Sequence, residues 1–108
     1  MKLEHIIESI RRARLRITEH ADEEAQDDRL SFDEILASVL DGEIIEEYPD
    51  DKPFPSCLIL GETADGEPVH SVWAYNEEIR WAVLVTVYRP DAELWINWRI
   101  RRPRNATI

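Results

Sequence analysis

Two histidines are the residues of this chain best suited to acid/base chemistry. His20 opens an acidic, helix-like segment, and His70 lies in a strand-like run that precedes a second such run ending in Thr86-Val87-Tyr88. Metal-independent RNA cleavage needs a base for the 2′-hydroxyl proton, a cation for the charge that develops on the phosphorane, and an acid for the leaving oxygen. The residues that could supply these parts are His20, His70, Thr86, Tyr88, Arg101 and Arg102.

The same residues allow a structural interpretation. In this alternative, His20 and His70 belong to a hydrogen-bond network that holds a helix to a sheet. The sequence leaves the protonation state of His20 open, because a helix N-terminus favours the neutral ring whereas the neighbouring carboxylates favour the charged one. Both interpretations require the two imidazoles to become neighbours when the acidic helices dock against the later strands.

A metal site is a further alternative. His20 and Glu24 are four residues apart and share one helical face, and His70 could complete a set of two histidines and one carboxylate. Because this two-ligand spacing is a weak signal in a helix so rich in acid, we expect no metal and no cofactor. The three glycines are widely separated, which excludes a glycine-rich phosphate loop. Cys57 is the only cysteine, so it forms no intrachain disulfide and is expected to be a small buried hydrophobe.

Composition bounds the class of protein. The 108 residues suffice for one domain, predicted to span 1–108, with a core that needs neither disulfide nor metal. The net charge is −10, which disfavours long-range attraction to nucleic acid, although the basic ends at 1–18 and 89–108 leave room for a local anion site. No apolar run resembles a secretion signal or a membrane span, so we expect a cytoplasmic protein without a membrane partner.

The first forty residues are predicted to form three helices, a helical layer over about 3–41. Apolar residues between Leu3 and Ala13 recur at helical spacing. Thr18 is a suitable N-cap for a second helix. The segment Ser31-Phe-Asp-Glu34 is a capping box for a third helix, which Gly42 ends.

Strand periodicity follows, and we expect an antiparallel sheet over about 43–89 because short turns join the strand-like runs. The four predicted strands are Ile44–Tyr48, Ser56–Glu62, Pro68–Tyr75 and Trp81–Arg89. A three-residue loop between the last two would place His70 opposite Thr86, with Tyr88 on the same face. We expect a connector at 14–17, and in the basic, tryptophan-containing tail 90–108 a short helical turn and then irregular chain. The predicted fold class is α+β, with three N-terminal helices followed by a four-stranded antiparallel sheet.

An ordered series of segments covers about residues 15–102. It comprises Thr18-Glu-His20-Ala21, Glu24-Ala25, Arg29, Gly42-Glu-Ile44-Ile45-Glu-Glu-Tyr48-Pro49, Pro55-Ser56-Cys-Leu58, Pro68-Val-His70, Thr86-Val-Tyr88-Arg-Pro90, Trp95 and Arg101-Arg102. In this combination the chain resembles the bacterial and archaeal family of domains of unknown function numbered 4258. The resemblance implies a distant relation to RelE/ParE-like toxins, in which helices pack on a small antiparallel sheet and some members cleave RNA. The pI of about 4.7 departs from the basic character of RNA-cleaving toxins.

The predicted function is therefore a toxin-like protein of a toxin–antitoxin pair that cleaves RNA without a metal. Its expected partners are a cognate antitoxin or another protein, and RNA. The alternative is a non-catalytic interaction module whose acidic helical block binds a basic partner. In that case the binding residues would be Asp22, Glu23, Asp27 and Asp28.

Overall fold

The computed structural model describes residues 1–103 and shows an α+β protein. The three helices are α1 (Leu3–Arg11), α2 (Glu19–Asp27) and α3 (Phe32–Leu40). The strands are β1 (Leu15–Ile17), β2 (Glu43–Tyr48), β3 (Ser56–Glu62), β4 (Pro68–Asn76), β5 (Trp81–Tyr88), β6 (Trp95–Ile96) and β7 (Ile100–Arg101). The end of the tail, 104–108, lies outside the described residues. Within the described part, no helix is long and apolar enough to cross a membrane.

Local capping signals explain where α2 and α3 begin, and both predicted helices are confirmed. The Thr18 hydroxyl accepts a hydrogen bond from the backbone N–H of Ala21 at 3.1 Å. Ser31 and Glu34 form a complete capping box, in which each side chain accepts from the other residue's backbone N–H. A cap of this kind contributes about 1 kcal/mol, because it satisfies a backbone donor that the helix itself leaves without a partner.

The main sheet has five strands rather than the predicted four, and it is mixed rather than antiparallel. Its order is β1-β5-β4-β3-β2, and β1 runs parallel to β5 while the other pairs are antiparallel. The predicted connector at 14–17 contains the missing strand. Three residues are too few to show strand periodicity, and the partner that makes Leu15–Ile17 a strand lies more than sixty residues away in sequence.

The predicted register between β4 and β5 is also wrong, although the predicted grouping on one face is correct. The turn has four residues, 77–80, and Val85 is an extra residue in β5 at a bulge. Each feature shifts the pairing by one residue, so His70 lies opposite Tyr88 and Thr86 lies opposite Val72. Two shifts restore the original face, which leaves His70, Thr86 and Tyr88 together.

The core lies between the helices and one face of the sheet, which we call the helix face. Trp73 and Leu84 lie on it, fully buried, and pack in one cluster with Ile35 and Val39 of α3. The approach of α3 to β3 is close at Gly61, where an added Cβ would lie 1.8 Å from the carbonyl oxygen of Ser38. Only glycine fits this contact.

The tail packs as strands against the opposite face of the sheet, which we call the hairpin face. The predicted helical turn is replaced by a small antiparallel pair, β6 and β7. Trp95 is buried there at 4% exposure. Trp81, at the start of β5, is exposed at 39%. The tail is therefore a cover for the sheet rather than an irregular end.

Candidate functional site

The hairpin face presents a buried histidine with both ring nitrogens engaged. The His70 side chain is fully buried. Its Nε2 lies 2.7 Å from the carbonyl oxygen of Trp98, and its Nδ1 lies 3.2 Å from the Tyr88 hydroxyl. Because a carbonyl can only accept, Nε2 carries the proton and donates it, while Nδ1 accepts from Tyr88. The contacts thus select one tautomer.

Burial keeps this imidazole neutral. Loss of solvent lowers the pKa of His70, and this effect outweighs the hydrogen bond to the Trp98 carbonyl, which acts in the opposite direction. Burial also raises the pKa of Tyr88, so its phenol keeps its proton. Tyr88 is therefore a neutral donor, and His70 is its neutral acceptor.

The hairpin closes over His70 through aromatic and ionic contacts. The Trp95 ring packs edge-on against the imidazole, with the ring centroids 4.4 Å apart. The Arg101 guanidinium lies over the Trp95 ring, 4.7 Å from its centroid. Its Nε also donates to both carboxylate oxygens of Glu46 on β2, at 2.9 and 3.2 Å, and its Nη2 donates to one of them at 3.1 Å. Arg101 therefore ties β7 to the sheet.

The ion pair and the adjoining phenol perturb one another. Burial opposes ionisation of Glu46, but hydrogen bonds from Arg101 and Tyr48 outweigh it, and the pKa of Glu46 lies below its ordinary value. Burial, reinforced by the hydrogen bond to Glu46, raises the pKa of Tyr48 to about 12. The hydrogen bond to Glu46 raises the pKa of Arg101, so this fork stays charged.

A second cluster joins α2 to the same face of β5. His20 Nε2 lies 3.0 Å from a carboxylate oxygen of Glu24, and the Thr86 hydroxyl donates to that same oxygen. The His20 side chain is 67% exposed, whereas that of Glu24 is 30% exposed. An accessible imidazole is therefore oriented by a carboxylate that the sheet in turn holds.

The C-terminal end of α2 is fixed to the end of β5. The Arg89 backbone N–H donates to the Asp28 carboxylate at 2.7 Å, and Arg89 Nε donates to the Asp28 carbonyl at 2.8 Å. At the other end of the helix, the Thr18 hydroxyl donates to the Val85 carbonyl at 3.0 Å. With both ends anchored, α2 has a defined position alongside β5, and so do the side chains of the His20–Glu24 pair.

The structure brings together most of the sequence-predicted site. His70, Tyr88 and Arg101 meet under the hairpin, and Thr86 lies two residues from Tyr88 on the same face of β5. His20 reaches this face only through Glu24, and it shares no hydrogen bond with His70, whose nitrogens both have other partners.

Arg102 does not join the cluster. Its Nε donates to the Ala92 carbonyl at 3.0 Å, within the tail itself. Arg101 and Arg102 are adjacent in a strand-like segment, so their side chains point to opposite sides. Of the two neighbouring arginines in the predicted set, only Arg101 reaches the His70 cluster.

Several contributors were absent from the predicted set, among them Glu24, which appeared only in the metal alternative, and Trp95. Glu46 and Tyr48 alternate on β2, and this spacing was a signal that both side chains share a face. The Trp98 carbonyl gave no signal, because a backbone acceptor is set by the path of the chain alone. Trp98 has φ of 64°, a left-handed conformation uncommon for a tryptophan.

The alternative metal set does not assemble. Among residues 1–103, no three His, Cys, Asp or Glu side chains are arranged to hold a metal ion. His70 would have to give up its contacts with Tyr88 and Trp98 to become a ligand. Cys57 is fully buried, and burial raises its pKa to about 12, so its thiol stays protonated as expected.

Comparison with known proteins places the chain in a family without assigning an activity. Among the curated proteins and among the solved structures, no significant match is found. The family model described as a domain of unknown function, DUF4258, matches residues 17–89. This segment contains His20, His70, Thr86 and Tyr88, and it ends just before the tail that covers His70. The match spans well over half of the chain, which therefore belongs to the DUF4258 family.

Proposed function

We propose that this protein is a cytoplasmic, RelE/ParE-like toxin of a toxin–antitoxin pair that cleaves RNA without a metal. The observation that carries the proposal is the convergence of two hydrogen-bonded groups on neighbouring same-face positions of β5. One is His20–Glu24–Thr86, and the other is Tyr88–His70. Together they provide an accessible base and a positioned phenol.

His20 is the general base. It is the exposed imidazole of the two, and a base oriented by a carboxylate is a recurrent arrangement for activating a hydroxyl. Since Nε2 faces Glu24, Nδ1 takes the 2′-hydroxyl proton, and the Glu24 carboxylate stabilises the imidazolium that forms. Thr86 keeps that carboxylate in place.

His70, one of the residues predicted to supply the acid, base or cation, acts as a positioning residue. It accepts from Tyr88 while donating to Trp98, and so it fixes the phenol oxygen. Tyr88 is the acid. Its raised pKa keeps the phenol protonated near neutral pH, and its proton leaves the hydrogen bond to His70 Nδ1 for the leaving oxygen, after which water reprotonates the phenolate. Arg101 supplies the cation through its Nη1, which makes no hydrogen bond among residues 1–103, while its Nε and Nη2 stay on Glu46 and keep the hairpin closed.

Charge gives the proposed reaction an unusual dependence on salt. With a net charge of −10, the protein repels RNA at low ionic strength. The screening length falls from about 30 Å at 0.01 M salt to about 8 Å at 0.15 M. Cleavage should therefore become faster over this range, whereas cleavage by a basic ribonuclease should become slower.

The test follows a defined single-stranded RNA in the presence of a chelator, together with growth of bacteria that express the protein. Wild type should cleave and arrest growth, and the His20→Ala, His70→Ala double variant should do neither. Arg16→Gln is the control, because Arg16 is exposed on β1 and belongs to neither of the two hydrogen-bonded groups at β5. If the wild-type protein neither arrests growth nor cleaves the RNA, the proposal is wrong.

A second candidate function rests on the exposed side of α2. Asp22, Glu23 and Asp27 are exposed there, which suits an interaction module that binds a basic protein such as an antitoxin segment. Asp28 is left out of this surface because it anchors Arg89. Neutralising the three exposed carboxylates should abolish salt-sensitive binding, while the double histidine variant should bind normally. Unchanged binding after neutralisation would eliminate this candidate.

A further inference from the structure

A cleft between the C-terminal end of α1 and the β4–β5 turn has the character of a ligand site. Its volume is about 790 Å³, within the range of small-molecule sites. The side chains that give it its chemistry are His5, Arg12, Arg14, Tyr75 and Arg80. Tyr75 lies five residues from His70 on β4 and on the other face, a separation of about 16 Å along the strand. The cleft is therefore distinct from the His20 and His70 clusters.

Ser9 brings two of these arginines to one wall of the cleft. Its side chain is buried, its hydroxyl donates to the Arg80 carbonyl at 2.9 Å, and its own carbonyl accepts from the Arg14 N–H at 2.8 Å. The Arg14 carbonyl in turn accepts from the Ala82 N–H at 3.1 Å. The backbones of both arginines are thus held by α1 and β5 without any ligand, so no backbone rearrangement is needed for binding.

Among residues 1–103, no carboxylate neutralises the positive charge of Arg14 or Arg80. Arg12 is paired with Glu8 at 2.6 Å, whereas the guanidinium groups of Arg14 and Arg80 make no ion pair or hydrogen bond with any residue from 1 to 103. Two such forks lining one cleft, in a chain of net charge −10, favour a local site for an anion. Guanidinium geometry matches phosphate in particular, because two parallel N–H groups reach two of its oxygens.

An aromatic pair stands beside the arginines. The His5 and Tyr75 rings are stacked, with centroids 5.4 Å apart and planes 19° from parallel. Tyr75 is buried and holds the half-buried His5 ring in place, and a fixed aromatic surface is where a planar base would stack.

We propose that this cleft binds a small nucleotide, with its phosphate on Arg14 and Arg80 and its base against His5. This site does not depend on RNA cleavage. Glu77 also lines the cleft and carries a charge that opposes the phosphate, so Glu77→Gln should tighten binding.

The test is calorimetric titration of the full chain with adenosine monophosphate, inorganic phosphate and adenosine. The nucleotide should bind about tenfold more tightly than inorganic phosphate, and adenosine should not bind. In NMR spectra the ring signals of His5 should move on titration and those of His70 should not. Equal affinities for phosphate and the nucleotide would overturn the base contact, and no binding of the nucleotide would overturn the site.

Variants separate binding from folding. Arg14→Gln should weaken nucleotide binding about tenfold. Arg16→Gln is the matched control, because Arg16 is exposed on β1 outside the cleft and should leave the affinity unchanged. Arg80→Gly should lose affinity while folding at least as stably, because Arg80 has φ of 59°, a conformation that suits glycine. Equal weakening by Arg16→Gln and Arg14→Gln would contradict the proposed phosphate contacts.

Discussion

Replacing Arg101 with alanine should open the hairpin that covers His70. The variant loses the fork to Glu46 and the contact over the Trp95 ring. The Arg101 side chain is 61% exposed, so the ion pair itself contributes at most about 1 kcal/mol. The contact with Trp95 adds about 0.5 kcal/mol at such an exposed site. The partly buried Glu46 carboxylate, left without its partner, adds a penalty of about 1 kcal/mol.

These contributions together destabilise the docked hairpin by about 2 kcal/mol, which corresponds to a fall of about 8 °C in Tm if the hairpin and the sheet unfold together. Thermal unfolding followed by circular dichroism measures this change. NMR titration gives the local readout, because burial holds the pKa of His70 below 6.5 while the hairpin is closed. In Arg101→Ala that pKa should move upwards, towards 6.5.

Arg102→Ala is the control for this experiment. Arg102 neighbours Arg101 and has the same charge, but it donates only to the Ala92 carbonyl within the tail. Arg102→Ala should lower Tm by less than half as much as Arg101→Ala does. A double-mutant cycle of Glu46→Gln and Arg101→Ala then isolates the contribution of this ion pair. The double variant should be destabilised by less than the sum of the two single variants. If Arg101→Ala leaves both Tm and the His70 titration unchanged, contacts other than those of Arg101 hold the hairpin.

Acidification should destabilise the protein in two stages. The pKa values of His70 and Glu46 in the folded state are both depressed, so their contributions to stability are present above the ordinary values of 6.5 and 4.5 and are lost as pH falls below each. Unfolding by denaturant between pH 8 and 3 measures this loss, and His70→Gln should remove the stage at higher pH. Thr86→Val should slow RNA cleavage about tenfold and lower the free energy of unfolding by about 1 kcal/mol, because it removes the hydroxyl that orients the Glu24 carboxylate. Single-turnover cleavage and denaturant unfolding measure the two effects. Gly61→Ala should cost more than about 3 kcal/mol or prevent folding, since its Cβ would overlap the Ser38 backbone, and a soluble variant with wild-type Tm would contradict that packing.

Features of the fold that depend on local sequence were predictable. The cap at Thr18 and the capping box at Ser31 placed two helices, because each cap is satisfied within three residues. The long strands were predictable from their alternation and turn residues. The parallel strand Leu15–Ile17 was not, since it exists only because the edge of β5 accepts it.

The candidate site, too, was predictable only where it depends on local sequence. The grouping of His70 with Thr86 and Tyr88 follows from side-chain alternation on two neighbouring strands, even though the pairing itself was wrong by two residues. The tautomer of His70 was out of reach, because it depends on a carbonyl in a tail whose path no local pattern encodes. Burial of a histidine is thus a tertiary property, and a role as base could not be assigned from residue type.

The hairpin also decides between two roles for His70 in the proposed reaction. If His70 positions Tyr88, an Arg101→Ala variant that loosens the hairpin frees the imidazole and disorders the phenol, so cleavage should slow. If His70 instead removed the proton itself, the same loosening would expose its Nδ1 and bring its pKa closer to neutrality, and cleavage should become faster. Loss of the Arg101 cation slows the reaction in both cases, so the comparison needs Glu46→Gln, which loosens the hairpin and keeps that charge. Glu46→Gln also removes the negative charge beside Arg101, so a faster rate makes His70 a second base only if the Glu46→Gln, His70→Gln variant loses the gain. A slower rate in Glu46→Gln matches the hydrogen bonds seen at Tyr88 and Trp98.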